Sequence, residues 1–152
     1  MIKKIMIYTI CLLPWFLSYI IPINYDYYKE INLPFFAPPN LFYQIAWTIV
    51  YLLLAYTIYS IIIVYKVKDI PKSYKITLLI NYIANQSFTI VFFNLKNNFL
   101  GFVSCFITLL STLFLYEEIS LLQNKKKYLI IPYILLSIFA TILSLSIYVL
   151  NI

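Results

Sequence analysis

The fold this sequence predicts is all-α, an integral membrane bundle of five transmembrane helices with an apolar, proline-rich lid loop between the first two. Three observations predict it. Of 152 residues, 64% are hydrophobic and only 11% are charged, whereas a soluble domain is nearer half apolar and a quarter charged. The apolar residues gather into five segments, about 5–22, 41–65, 76–95, 99–122 and 128–150, each long enough to cross ~30 Å of hydrocarbon as a helix. The eleven cations, all Lys, fall almost wholly on one side of such a bundle. Residues 1–152 therefore read as one membrane domain. The composition excludes a water-soluble globule, a disordered tail and a nucleic-acid module.

The segment 5–22 follows Lys3 and Lys4 and so has the outline of a signal peptide. Pro14 and Trp15 interrupt it and no small-x-small cleavage site follows, which favours an uncleaved first span. The connection 23–40 is the longest, with Asp26, Lys29, Glu30, Pro34, Pro38 and Pro39. Its stretch 31–39 is apolar and stiff, because each proline fixes φ and favours extended backbone before it. Such a loop either covers a cavity between the helices or lies on the headgroups, where aromatics are common. Asn40 stands where an N-cap would, with Leu41 opening the second span. The remaining connections are 66–75, a tight turn at Lys96, Asn97 and Asn98, and Lys125, Lys126 and Lys127.

Five spans place the N-terminus and the second and fourth connections together. That side collects Lys3, Lys4, Lys66, Lys68, Lys72, Lys75 and Lys125 to Lys127, against Lys29 and Lys96 on the other. Nine against two is a strong positive-inside signal. It predicts a multi-pass protein of a bacterial inner membrane, N-terminus cytoplasmic and C-terminus outside. The net charge of +6 thus reads as topology. Nucleic acid is not an expected partner, since no basic stripe interleaved with stacking aromatics occurs in a soluble segment.

The residue inventory restricts the chemistry. With no His, His-based triads and the commonest metal ligand are absent. With no Arg, there is no bidentate guanidinium clamp. Cys11 and Cys105 lie far apart in apolar runs, without CxxC spacing, and read as buried structural thiols. No metal and no required cofactor is expected.

The third span is unusually polar. At 100° per residue, Asn81, Asn85, Phe88, Thr89 and Phe92 share a face, and an amide in hydrocarbon needs a partner, so this face should point into the bundle. It is either an interhelical hydrogen-bond seam or a polar anchor inside a ligand cavity.

Tyr28-x-x-Ile31-x-x-Pro34-x-Phe36-x-Pro38-Pro39-x-x-Phe42-x-x-x-x-Trp47-Thr48-x-x-Tyr51 resembles the signature of the translocator protein family. That family is also called the peripheral benzodiazepine receptor or tryptophan-rich sensory protein (TspO/MBR) family. Asn85-x-x-Phe88-Thr89-x-x-Phe92-Phe93-x-Leu95-Lys96, then Pro132-Tyr133, Phe139-Ala140-Thr141-x-Leu143 and the closing Leu150-Asn151 are similar to its later motifs. The resemblance runs from about residue 27 to the end. It implies a cavity open toward the outer side and covered by 23–40. It also implies a membrane receptor or binding protein for tetrapyrroles (porphyrin) or similar flat hydrophobic ligands, in a sensory or regulatory role. The alternatives are a transporter of small lipophilic solutes and a structural or signalling component with a vestigial cavity. Against active transport, the spans carry no well-buried acid; Glu117 and Glu118 lie near the Lys-rich side.

The residues the resemblance implicates in ligand binding are Tyr28, Pro38, Trp47, Tyr51, Asn85, Phe88, Thr89, Ala140 and Leu143. Trp47 and Tyr51 would form an aromatic wall, Asn85 and Thr89 polar contacts, Ala140 free space and Pro38 a stiffened lid. Lys29 is the nearest cation for a porphyrin carboxylate. The departures are as telling. Phe36, Phe88 and Leu136 stand where the family has Trp, Leu33 where it has Lys, and Ser144 where it has Asn. Light-dependent porphyrin degradation, tied in that family to pocket tryptophans, is therefore not expected, and the protein reads as no enzyme. No Lys or Arg follows Tyr148, so the cholesterol-associated pattern is missing. The expected partners are membrane lipid and a hydrophobic small molecule. A homodimer is admitted, since dimers occur in that family, but the single glycine, Gly101, rules out a Gly-x-x-x-Gly contact.

Overall fold

The computed structural model describes residues 2–65, 67–122 and 124–152, so Lys66 of the charge count lies outside the described residues. Five long helices form: α1 (Ile2–Ile20), α3 (Asn40–Val64), α4 (Lys72–Asn94), α5 (Asn98–Leu121) and α6 (Lys125–Leu150). A short helix, α2 (Tyr25–Glu30), lies in the first connection. The five long helices are long and apolar enough to span a membrane. Large apolar residues such as Leu79, Phe114, Leu135 and Ile142 face outward, while Asn81, Thr112 and Ser137 are buried. Lipid solvates the apolar surface, so interhelical contact rests on close packing and hydrogen bonds.

Local sequence sets each boundary. Pro14 breaks the α-helical ladder of α1 into one 3₁₀ turn, Leu13–Phe16, which turns Trp15 inward. Asn24 caps α2 by accepting the Tyr27 amide at 3.4 Å. Pro38 and Pro39 halt the chain until α3 begins. Pro71 precedes α4. Asn97 accepts the Leu100 amide at 2.9 Å to start α5, and Asn124 accepts the Lys126 amide at 2.9 Å to start α6.

Several expected bounds shift. The helix α4 begins at Lys72 rather than 76, and α6 at Lys125 rather than 128. Lysine stems extend an apolar helix to the interface, and an apolar count misses them. The first span runs 2–20 rather than 5–22, ending before Ile21-Pro22. Asn40 is not the N-cap: Pro39 holds that position and Asn40 is the first helical residue, with no side-chain cap. The short helix α2 precedes the proline-rich stretch 31–39 and was not expected.

The C-terminal turn of α4, Thr89–Asn94, is a π-helix, closed by Leu95 N–H donating to the Ile90 carbonyl at 2.9 Å. Here Gly101 of α5 meets Phe92: a Cβ at Gly101 would stand 2.8 Å from Phe92 Cδ2. Only glycine allows this approach.

Adjacent helices close a ring in the order α1, α3, α6, α5, α4, with Gln86 of α4 bonding Ser18 and Trp15 of α1. The Lys-rich half of the ring is filled by Ile58, Ile61, Ile70, Tyr74, Leu115, Ile119 and Ile130. The opposite half has a small core of Phe92, Leu143 and Ile147 and is hollow.

Candidate ligand cavity

The hollow is a cavity of about 320 Å³, at the low end of the ~300–1,000 Å³ usual for small-molecule sites. Helix α3 supplies a stripe at helical spacing, Asn40, Tyr43, Gln44, Trp47 and Tyr51. Helix α6 supplies Ser137, Ala140, Leu143, Ser144 and Ile147, and α4 supplies Asn85, Phe88, Thr89, Phe92 and Phe93. Ile23 and Tyr28 enter from the first connection.

One wall is aromatic. The Trp47 and Tyr51 rings lie 5.6 Å apart, and Trp47 meets Tyr133 edge-on at 6.0 Å. Opposite, Phe88 stacks on Phe92 with centroids 5.1 Å apart and planes 11° apart, while Phe93 stands edge-on to both. The floor is polar. Tyr51 Oη donates to Asn85 Oδ1 at 2.6 Å, and Asn85 Nδ2 donates to Tyr133 Oη at 3.3 Å. Tyr133 Oη donates to Asn81 Oδ1 at 2.9 Å, and Asn81 Nδ2 reaches Ser111 and Thr112 of α5, each at 2.9 Å. Every amide on the α4 face thus finds a partner, as burial in a membrane bundle requires.

The segment between α1 and α3, which gives Ile23 and Tyr28 to the lining, is tied at two points. Tyr27 Oη donates to Asn98 Oδ1 at 2.7 Å beside the α4–α5 turn. The Asn32 amide donates to Asn151 Oδ1 at 2.8 Å, and Asn151 Nδ2 donates to the Asn32 carbonyl at 2.9 Å. Burial raises the Tyr28 phenol above its ordinary pKa, against a smaller lowering by the neighbouring Tyr43 hydroxyl.

The structure brings Tyr28, Trp47, Tyr51, Asn85, Phe88, Thr89, Ala140 and Leu143 around this one cavity. Pro38 is not in the lining. Asn81 shares the α4 face but lies below the floor. Lys29 is held by Asp26 at 3.1 Å and does not line the cavity. Reasoning from motifs missed Tyr43, Gln44, Ser137 and Ile147, although their three- and four-residue spacing from Trp47, Ala140 and Leu143 would have found them. It also left Trp15 aside, which packs 5.8 Å from Tyr51.

The profile of the TspO/MBR family matches residues 6–150. The chain belongs to the TspO/MBR family. It is 36% identical over 134 residues to the tryptophan-rich protein TspO of Bacillus cereus, covering 88% of this chain and 86% of that one. It is 29% identical to an uncharacterized membrane protein, YtaB, of Bacillus subtilis, over the same shares. It is also 29% identical to the tryptophan-rich protein TspO of Archaeoglobus fulgidus, over 82% of this chain and 80% of that one. Within this TspO/MBR chain, the residues that depart from the family pattern occupy different places. Phe88 and Ser144 line the cavity. Leu136 packs in the core, and Phe36 lies outside the cavity, edge-on to Phe139 at 6.4 Å. Among the described residues, Trp47 is the one indole in the lining.

Proposed function

We propose that this TspO/MBR protein is a membrane receptor that holds a tetrapyrrole or similar flat, hydrophobic ligand in the cavity between its helices, in a sensory or regulatory role. One observation carries the reading: two facing aromatic walls, Trp47 with Tyr51 and Phe88 with Phe92, enclose an apolar slot over a polar floor. Aromatic faces receive a flat π-system by offset stacking or edge contact, and a few placed polar groups fix its orientation. The segment from Ile21 to Pro39 acts as the lid. The lysine asymmetry supports a lid on the outer face of the membrane. The protein holds its ligand without consuming it, since Phe88 and Leu136 replace electron-rich indoles and Trp47 alone remains on the wall.

The test is a titration of purified, detergent-solubilised protein with protoporphyrin, followed by tryptophan fluorescence. Trp47 lies on the wall and Trp15 just behind Tyr51, so both report. The control is Ala140→Leu, which fills the slot and leaves both indoles in place. Saturable micromolar quenching, weakened at least tenfold in the variant, is the expected result. Linear quenching, identical in both proteins, would mean partition into detergent and would end the tetrapyrrole assignment.

A further inference from the structure

We infer that the cavity selects an uncharged ligand carrying acceptor oxygens, such as ester, ketone or amide carbonyls, and disfavours a carboxylate. The inference rests on the receptor reading above and narrows its ligand class. Two observations carry it.

The first is a set of unsatisfied donors. Three side-chain hydroxyls of the lining, on Tyr28, Tyr43 and Ser137, are buried without a well-formed hydrogen bond; those of Tyr28 and Tyr43 have only each other nearby, and Ser137 has no partner at all. Ser137 is 1% exposed. Its case is pointed because hydroxyls further along the same helix behave otherwise. Thr141 donates to the Ser137 carbonyl at 2.7 Å and Ser144 to the Thr141 carbonyl at 3.1 Å. A serine in a membrane helix ordinarily satisfies itself in this way, whereas the hydroxyl of Ser137, a residue of the cavity lining, has no partner. Buried polar groups are nearly always paired, and an orphan calls for an explanation. Acceptor atoms on a bound molecule would supply it.

The second is charge. Among the described residues, no Lys, Asp or Glu lines the cavity. At the mouth, the cations are already matched: Lys29 pairs with Asp26 at 3.1 Å, and Lys96 approaches Glu30 at 3.9 Å. A carboxylate carried inside would lose its hydration and meet only neutral donors, and desolvating a charge without a counter-charge is strongly unfavourable. A carbonyl or ester oxygen carries no such penalty and takes the same hydroxyl donors at full value. The lining thus suits the flat body of a porphyrin and not its ionised propionates.

The experiment compares protoporphyrin with its dimethyl ester on the full chain in the same detergent, each corrected for partition into empty micelles. The variants are Tyr43→Phe and Ser137→Ala. Ser137→Ala removes an unpaired buried hydroxyl and Tyr43→Phe one whose only neighbour is the Tyr28 hydroxyl, so the free protein should melt close to the parent, and a melt confirms that it is folded. We expect the ester to bind at least tenfold more tightly than the acid at neutral pH. We further expect each variant to weaken the ester at least threefold while leaving its melting temperature in place. Equal binding of the two forms, or tighter binding of the acid, would overturn the inference and leave the receptor reading standing. Unaltered ester binding in both folded variants would overturn the role of the hydroxyls. If neither porphyrin form saturates, the receptor reading fails and the inference falls with it.

Discussion

Tyr51 and Tyr133 offer a controlled comparison, because Phe at either position deletes one oxygen from one polar network. The two deletions should not be equal. Tyr51 Oη gives Asn85 Oδ1 one bond, and that oxygen still accepts from Gln86 Nε2 at 3.1 Å. Tyr51→Phe therefore removes one satisfied contact, worth ~0.6 kcal/mol on average in a membrane bundle. Tyr133 Oη takes part in two bonds, one accepted from Asn85 Nδ2 and one donated to Asn81 Oδ1. Removing both loses about 1.2 kcal/mol on the same scale. It also strands Asn81 Oδ1, wholly buried, which adds at least ~1 kcal/mol. We expect Tyr133→Phe to cost about 1.5 kcal/mol more than Tyr51→Phe, roughly a factor of ten in the unfolding equilibrium. Equilibrium unfolding in mixed micelles of rising SDS fraction, followed by far-UV circular dichroism, measures both. Because the two tyrosines share Asn85, the double variant should depart from additivity. Equal costs, or a larger loss at Tyr51, would refute the assignment of the network.

Gly101→Ala gains ~1 kcal/mol of helix propensity but drives a methyl to 2.8 Å from the Phe92 ring, an overpacking of ~1–3 kcal/mol. A net loss of about 1 kcal/mol is expected in thermal melts. It should turn into a gain when Phe92 is first trimmed to Leu; a gain in the parent would contradict the close contact. Asn151→Ala removes both bonds to the Asn32 backbone and should speed amide exchange several-fold across residues 31–37 while α5 stays protected; unchanged exchange there would mean that the clasp does not hold the lid. The porphyrin and ester titrations complete the set.

The five spans were legible because a membrane imposes a long apolar run that no other environment does. Their ends were not, where Lys72 and Lys125 begin helices that a count of apolar residues starts later. The short helix α2 escaped because six residues carry too little periodicity, although Asn24 before Asp26 is a usable start signal. In the cavity, motif spacing led to Trp47, Tyr51 and Asn85, and helical periodicity alone would have added Tyr43, Ser137 and Ile147. Pro38 was assigned to the site from its place in the motif, but its position beside α3 keeps it out of the lining. Trp15 was illegible for another reason: the 3₁₀ turn at Pro14 sets its direction, and a regular helix drawn through 5–22 points it elsewhere. Nor does the spacing of Asn81 and Asn85 separate them. Only the three-dimensional arrangement puts the first beneath the floor and the second in it.

The π turn at the end of α4 makes that helix one residue longer than a regular α-helix joining the same two points. An i→i+5 closure accommodates a surplus residue without interrupting the hydrogen-bond ladder. In terms of insertion and deletion, the stretch 89–94 is where this span can lose a residue and remain a helix. Such a deletion would regularise the turn and swing either Phe92 or Phe93 toward lipid, leaving a narrower wall beside Gly101. The aromatic breadth of that wall is thus set by chain length as well as by residue identity. Two chains with the same aromatic residues but different counts across this turn would enclose differently shaped slots.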